Sequence, residues 1–265
     1  MRSIFSKFAL AAIFGFALTF TFSCSGNDDD DGSGSSSSSI KGWGNSSSSV
    51  NQCLSLPNWG KGASGTFVDN RDNTTYKWVE IGEQTWMAEN LNYRGTEPDT
   101  LGKCYKNDPA NCMNYGRLYN WNTVMALPDS CTHSKCASQI SEKHRGICLS
   151  GWHISSNADW NILLKFVNPS CSSDGETCAC AGTKLKSAGC RFSILGYYCT
   201  DDYGFSALPV GMEAQDSSFD QQSYWWSSSW NNYNSWLMTE ISNDVYPFPA
   251  REDNDVFFSV RCVKD

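Results

Sequence analysis

The chain has 265 residues, with 28 acidic and 20 basic side chains, a net charge of −8, thirteen cysteines and 14% aromatic residues. That balance argues against nucleic acid, whose phosphates demand Lys and Arg, and against attraction to an anionic lipid surface. Thirteen cysteines suit an oxidising compartment better than a chain kept reduced.

At the N-terminus, Arg2 and Lys7 precede an apolar run over 8–22, shorter than the roughly 20 residues a membrane span needs. The run stops at Ser23-Cys24, and Ser25, Gly26 and Asn27 lead into the acidic run Asp28 to Asp31. A small residue before a cysteine at this point resembles a bacterial lipobox, so 1–23 reads as a signal peptide and Cys24 as a lipidated mature N-terminus. Thr21 and Phe22 depart from the usual pattern, and plain secretion is the alternative. The acidic run resembles signals that carry some bacterial lipoproteins to the outer face of the outer membrane. Loss of 1–23 removes Arg2 and Lys7 and no acid, which leaves 18 basic against 28 acidic residues, a charge of −10. Contact with the membrane is expected through the lipid alone.

Residues 24–64 read as a flexible tether, rich in Ser and Gly, with serine runs at 35–39 and 46–49. Such a segment buries too little apolar area to offset its ordering entropy. The folded part is expected over 65–265, after a short segment around Cys53 and Trp59. Short strands are predicted at 66–69, 75–81 and 84–88, separated by turn formers at 70–73 and at Gly82-Glu83. In the second of these, Tyr76, Trp78 and Glu80 share one face while Lys77, Val79 and Ile81 share the other. Neither face is wholly polar, so both are expected to be covered at least in part. The spacing of Cys104 and Cys112 suits a disulfide across a loop that holds Asp108-Pro109. Leu118, Trp121, Val124 and Met125 have roughly helical spacing and predict a first helix ending at Pro128. Residues 129–146 read as an inserted loop that Cys131 and Cys136 could pin.

The stretch CLSGWHISSNADW, 148–160, is the organising segment. Trp152 and Ile154 alternate with His153 as a short strand would, and Ser156 stands three residues before Asp159 in a capping-box arrangement. Trp160, Leu163, Leu164 and Val167 then fall on one stripe of a second helix, which ends before Pro169. These residues are expected to build a fold rather than to catalyse. The polar loop over 170–182 and beyond carries Cys171, Cys178, Cys180, Cys190 and Cys199. They could be read as thiolate metal ligands, but their spacings do not repeat the paired C-x-x-C of zinc sites, so disulfides are preferred and no metal is expected. Further short strands are predicted at 205–210, 224–228, 236–241, 245–248 and 257–263. The order of elements gives an α+β domain with two helices and short antiparallel sheets, stabilised by disulfides.

At this point DNRDNTTYKWVEIGEQTWMAENLNY, CYKNDPANCMNYGRLYNW, CLSGWHISSNADW, DDYGFSALPVG, YWWSSS and FSVRCVKD resemble, in order, the motifs of the Fibrobacter succinogenes major paralogous domain. The resemblance covers about 66–265 and departs at the insertion 129–146 and at the extra cysteines between 171 and 199. It implies a fold like that of C-type lectins and formylglycine-generating enzymes. By position it also implies a disulfide from Cys148 to Cys262, closing a loop of over 100 residues. In the loop-closure picture such a link contributes about 4–5 kcal/mol. The resemblance implies no assigned activity.

No H-E-x-x-H or G-x-S-x-G pattern accompanies the histidines His133, His144 and His153. Asp201-Asp202 are adjacent and read as turn formers. Trp230-Asn231-Asn232 echoes a lectin calcium motif only in part, so neither calcium nor another cofactor is expected. Aromatic residues are the remaining signal: Tyr224, Trp225, Trp226, Trp230, Tyr233 and Trp236 are closely spaced. Tyr224 and Trp226 should point to one side of a strand and Trp225 to the other, with at least one of the three in the core. Trp226, Trp230, Tyr233 and Trp236 are the candidate ligand contacts. The leading expectation is a non-catalytic binding or adhesion module at the cell surface, for a plant-cell-wall glycan or other polysaccharide. The alternative is a structural or protein-binding component of the cell envelope.

Overall fold

Runs of Thr, Tyr, Trp and Val form an antiparallel meander of β1 (Ser64–Asp69), β2 (Thr74–Ile81) and β3 (Gln84–Met87). In the first turn the Asp69 carboxylate accepts the Arg71 backbone N–H at 3.0 Å and pairs with the Arg71 guanidinium at 2.6 Å. The computed structural model describes residues 53, 55–96, 100–131, 136–171, 178, 180–188, 199–210, 223–230, 236–241, 245–249 and 256–265. Cys24, the signal segment, the tether as far as 52, His133 and Tyr233 lie outside them. So do the side chains of Trp230 and Trp236.

The last strand, β8 (Cys262–Lys264), inserts between this meander and β4 (Trp152–Ile154), giving a five-stranded sheet in the order β1-β2-β3-β8-β4. His153 lies opposite Val263 and Ile154 opposite Cys262. A second, three-stranded antiparallel sheet holds β5 (Ser223–Trp230), β6 (Trp236–Ile241) and β7 (Val245–Pro249). The fold is therefore α+β. The predicted strand at 205–210 is reduced to one parallel bridge between Ala207 and Lys186, and only the end of 257–263 enters a sheet. No helix among the described residues is long and apolar enough to cross a membrane.

Among the described residues four short α-helices decorate the sheets. α1 (Pro109–Tyr115) occupies part of the stretch read as a loop, because Asp108 caps it by accepting the Ala110 N–H at 2.9 Å and Pro109 fills its first position, where no N–H is needed. α2 (Trp121–Met125) is shorter than its apolar spacing predicted. The Asn120 side chain caps it through the Thr123 N–H at 3.1 Å, while Leu118 and Tyr119 are drawn into backbone bridges with Lys103 and Phe258. α3 (Asn157–Val167) starts in the predicted capping box: the Ser156 hydroxyl accepts the Asp159 N–H, and the Asp159 carboxylate accepts the Ser156 N–H at 2.8 Å. α4 (Ala181–Leu185) follows the cysteine-rich loop.

The core falls into two main clusters, and strand alternation assigns residues to each. Tyr76 of β2 and Tyr224 and Trp226 of β5 enter one, with Tyr119, Trp152 and Phe258. Val79 and Ile81 of β2 and Trp225 of β5 enter the other, with Trp86, Trp160 and Phe205. β2 is thus covered on both faces, because a period of two sends neighbouring side chains to opposite sides. Cys148 is bonded to Cys262, Cys104 to Cys112 and Cys131 to Cys136, while Cys171 pairs with Cys178 and Cys53 with Cys180.

Candidate functional site

α3 presents two apolar surfaces. Trp160, Leu163, Leu164 and Val167 are buried, whereas Ile162 is 51% exposed and Phe166, one turn on, is half-buried. The segment ahead of β1 lines a cleft together with this outer face. It falls within the stretch expected as tether, but four contacts hold it to the body from Cys53 onwards. Cys53 is bonded to Cys180, and the Lys184 ammonium donates to the Leu56 carbonyl at 3.3 Å. The Tyr203 hydroxyl donates to the Pro57 carbonyl at 3.1 Å, and the Ala63 carbonyl accepts the Glu80 N–H at 2.7 Å. Lys184 is itself buried and fixed by Asp202 at 2.7 Å.

Between these anchors the chain makes a tight turn. The Asn58 side chain accepts the Gly60 N–H at 2.9 Å, and Gly60 takes a left-handed φ of +80°, so Trp59 stands at the tip, 61% exposed. Across from it, Gly82 (φ +62°) turns β2 into β3, and a Cβ there would lie 3.0 Å from the Phe166 ring. A bare turn is what lets Phe166 lie over it. Phe166 is then held edge-on to Tyr203 at 5.7 Å. The result is a cleft of about 610 Å³ whose lining includes Trp59, Ile162 and Phe166, within the roughly 300–1,000 Å³ typical of ligand clefts. Lys61, Lys165, Glu80 and Glu83 line it, exposed. Among the described residues none of these four side chains is engaged in an ion pair.

The central motif performs a structural task. His153 is buried, its Nδ1 at 2.8 Å from an Asp265 carboxylate oxygen and its Nε2 at 3.3 Å from Asp159. Burial opposes the imidazolium, but hydrogen bonds to the two carboxylates more than offset it and raise the pKa above the ordinary 6.5. Burial likewise disfavours the Asp159 carboxylate, and its hydrogen bonds from His153 and Ser156 outweigh that and lower its pKa. The motif therefore clamps the α3 N-terminus to the end of β8. Both imidazole nitrogens are engaged, and the Asp159 carboxylate also accepts from Ser156 and Gln84.

The close-spaced aromatics divide. Trp226, expected as a candidate ligand contact, is instead a core residue, 2% exposed with its indole N–H donating to the Tyr119 carbonyl at 2.7 Å. Trp225 is fully buried and donates to the Asn90 side chain at 2.8 Å. The same Asn90 oxygen accepts from Arg261, whose buried guanidinium also donates to the carbonyls of Met87, Phe205 and Ser206 and lies over the Phe205 ring. Burial pulls the Arg261 pKa down to about 9, against the charges of Asp201 and Glu89. Trp230 and Trp236 are backbone partners in the β5–β6 ladder.

The sequence carried two signals for the cleft that periodicity alone did not assemble. Trp59 sits inside the turn-forming Asn58-Trp59-Gly60, and Ile162 and Phe166 are an i, i+4 pair off the core stripe of their helix. What joined them is the path of a chain segment more than 100 residues away.

Fold and cleft together define a disulfide-stabilised α+β domain with a surface cleft built around an exposed tryptophan. The family model of the Fibrobacter succinogenes major domain matches residues 79–264. The chain belongs to that family. Searches of curated proteins and of solved structures gave no match.

Proposed function

We propose that this protein is a non-catalytic binding or adhesion module, carried at the outer surface of the cell by lipid on Cys24, with a surface polysaccharide such as plant-cell-wall glycan as its ligand. The observation that carries this reading is the 61% exposure of Trp59 over a cleft whose charged side chains are uncommitted. An exposed indole fixed by a turn loses solvent contact only when a partner covers it, and its flat face suits a sugar ring. Trp230, Tyr233 and Trp236 are further candidate contacts for the same polymer.

Within the α+β class we place the fold with the C-type-lectin-like domains. The insertion of β8 between β3 and β4, and the disulfide from Cys148 to Cys262 that ties the central motif to this last strand, support the placement.

The test is retention of the full chain on insoluble polysaccharides, beside Trp59→Ala and Trp236→Ala variants with unchanged thermal unfolding. Binding lost in Trp59→Ala supports the cleft, and binding lost only in Trp236→Ala moves the site to the β5–β6 end. A parent chain that is retained on no polysaccharide sinks the glycan reading in favour of a protein-binding envelope component.

A further inference from the structure

Resting on that reading, the cleft chemistry also narrows the class of ligand. We infer that the Trp59 cleft takes an uncharged polymer of β-linked pyranoses with equatorial substituents, and discriminates against polyuronates. The apolar part of the lining is aromatic and aliphatic, supplied by Trp59, Ile162 and Phe166 from two chain segments. A pyranose whose hydroxyls are equatorial presents its C–H bonds as two flat apolar faces, which is the surface an indole covers best. Axial substituents break that plane and hold the ring away from the indole.

The lining supplies the complementary polar contacts. Lys61 and Lys165 offer donors and Glu80 and Glu83 offer acceptors, so the hydroxyls around the edge of one sugar ring can both give and receive hydrogen bonds. Two positive and two negative charges cancel locally, so the cleft has no net charge with which to attract an ionic polymer. The chain as a whole carries −8, which repels a polymer bearing a carboxylate on every residue. Because all four charged side chains are exposed, exchanging water for sugar hydroxyls requires little desolvation.

The experiment compares retention of the full chain on cellulose, xylan and polygalacturonate, at low and at high salt. The expected result is binding to cellulose or xylan that salt leaves unchanged, and at least about tenfold weaker retention on polygalacturonate. Trp59→Ala should weaken binding about tenfold or more, and Trp59→Phe, which keeps a flat ring, should recover part of it. Glu83→Gln and Lys165→Ala test the lining separately, each with a smaller loss. Preference for polygalacturonate, or binding that falls steeply with salt, overturns the inference while leaving a glycan-binding function intact. Full binding by a folded Trp59→Ala variant overturns it as well. Retention on none of the three polymers overturns this inference, and the wider glycan reading fails with it only if other polysaccharides are also refused.

Discussion

The two faces of α3 carry comparable aromatic chemistry and put it to opposite uses. On the inner face Trp160 packs against Trp86 at 4.8 Å, Phe205 at 5.7 Å and Trp225 at 5.8 Å, and is 1% exposed. On the outer face Phe166 and Ile162 line a cleft with Trp59, which stays mostly in water. Among the described residues, the adjacent aromatics Tyr224, Trp225 and Trp226 are all core, because neighbouring strand positions feed both clusters at once. The surface cleft is instead lined by residues scattered along the chain.

The comparison can be broken or sharpened by substitution, beginning with the framework common to both faces. Replacing Cys148 and Cys262 together by Ser should cost about 4–5 kcal/mol in the loop-closure picture, read as a lower denaturant midpoint. A loss under about 1 kcal/mol would mean that pairing of β4 with β8 suffices without the covalent link. On the inner face, Trp160→Ala should cost about 3–5 kcal/mol by cavity formation, with binding affected only as far as the protein unfolds.

The clamp at the start of α3 should give an effect of about 1.5 kcal/mol, at the low end for a charged hydrogen bond because Asp265 is half exposed to water. Since the His153 pKa is raised on folding, its contribution is fully present below about 6.5 and is lost as pH rises through the raised value. The Asp159 pKa is lowered, so its share is present above about 3.8 and is lost as pH falls through the lowered value. Stability measured against pH should therefore fall on both sides of this window. In His153→Gln the alkaline fall should disappear, and a fall of unchanged size would assign it to another group. The smallest stability effect belongs to the outer face: Trp59→Ala should shift unfolding by no more than about 0.5 kcal/mol while binding drops. A destabilisation as large as that of Trp160→Ala would make Trp59 a packing residue and remove the contrast between the faces.

Much of the framework was legible in residue order. The capping box at Ser156 and Asp159, the core stripe of α3, the two-sided burial of β2 and the opposite orientations of Trp225 and Trp226 all follow from local chemistry and from periods of 3.6 and 2. Short-range competition was harder to read. Asp108-Pro109 looked like a loop and starts a helix, and Asn120 cut α2 short once its neighbours were taken by bridges to distant strands. Trp226 shows the limit for site residues, since its exposure depended on Tyr119 and Phe258, far off in sequence.

By itself, then, the sequence determined the family, the α+β elements and the positions where cysteines could link, because each is written in motifs or in spacing along the chain. Only the tertiary structure decided which aromatic residues face water. Burial is set by what the rest of the chain lays against a side chain. For Trp59 that was settled by Cys180, Lys184 and Tyr203, which anchor its segment to the body of the domain and leave the indole mostly exposed.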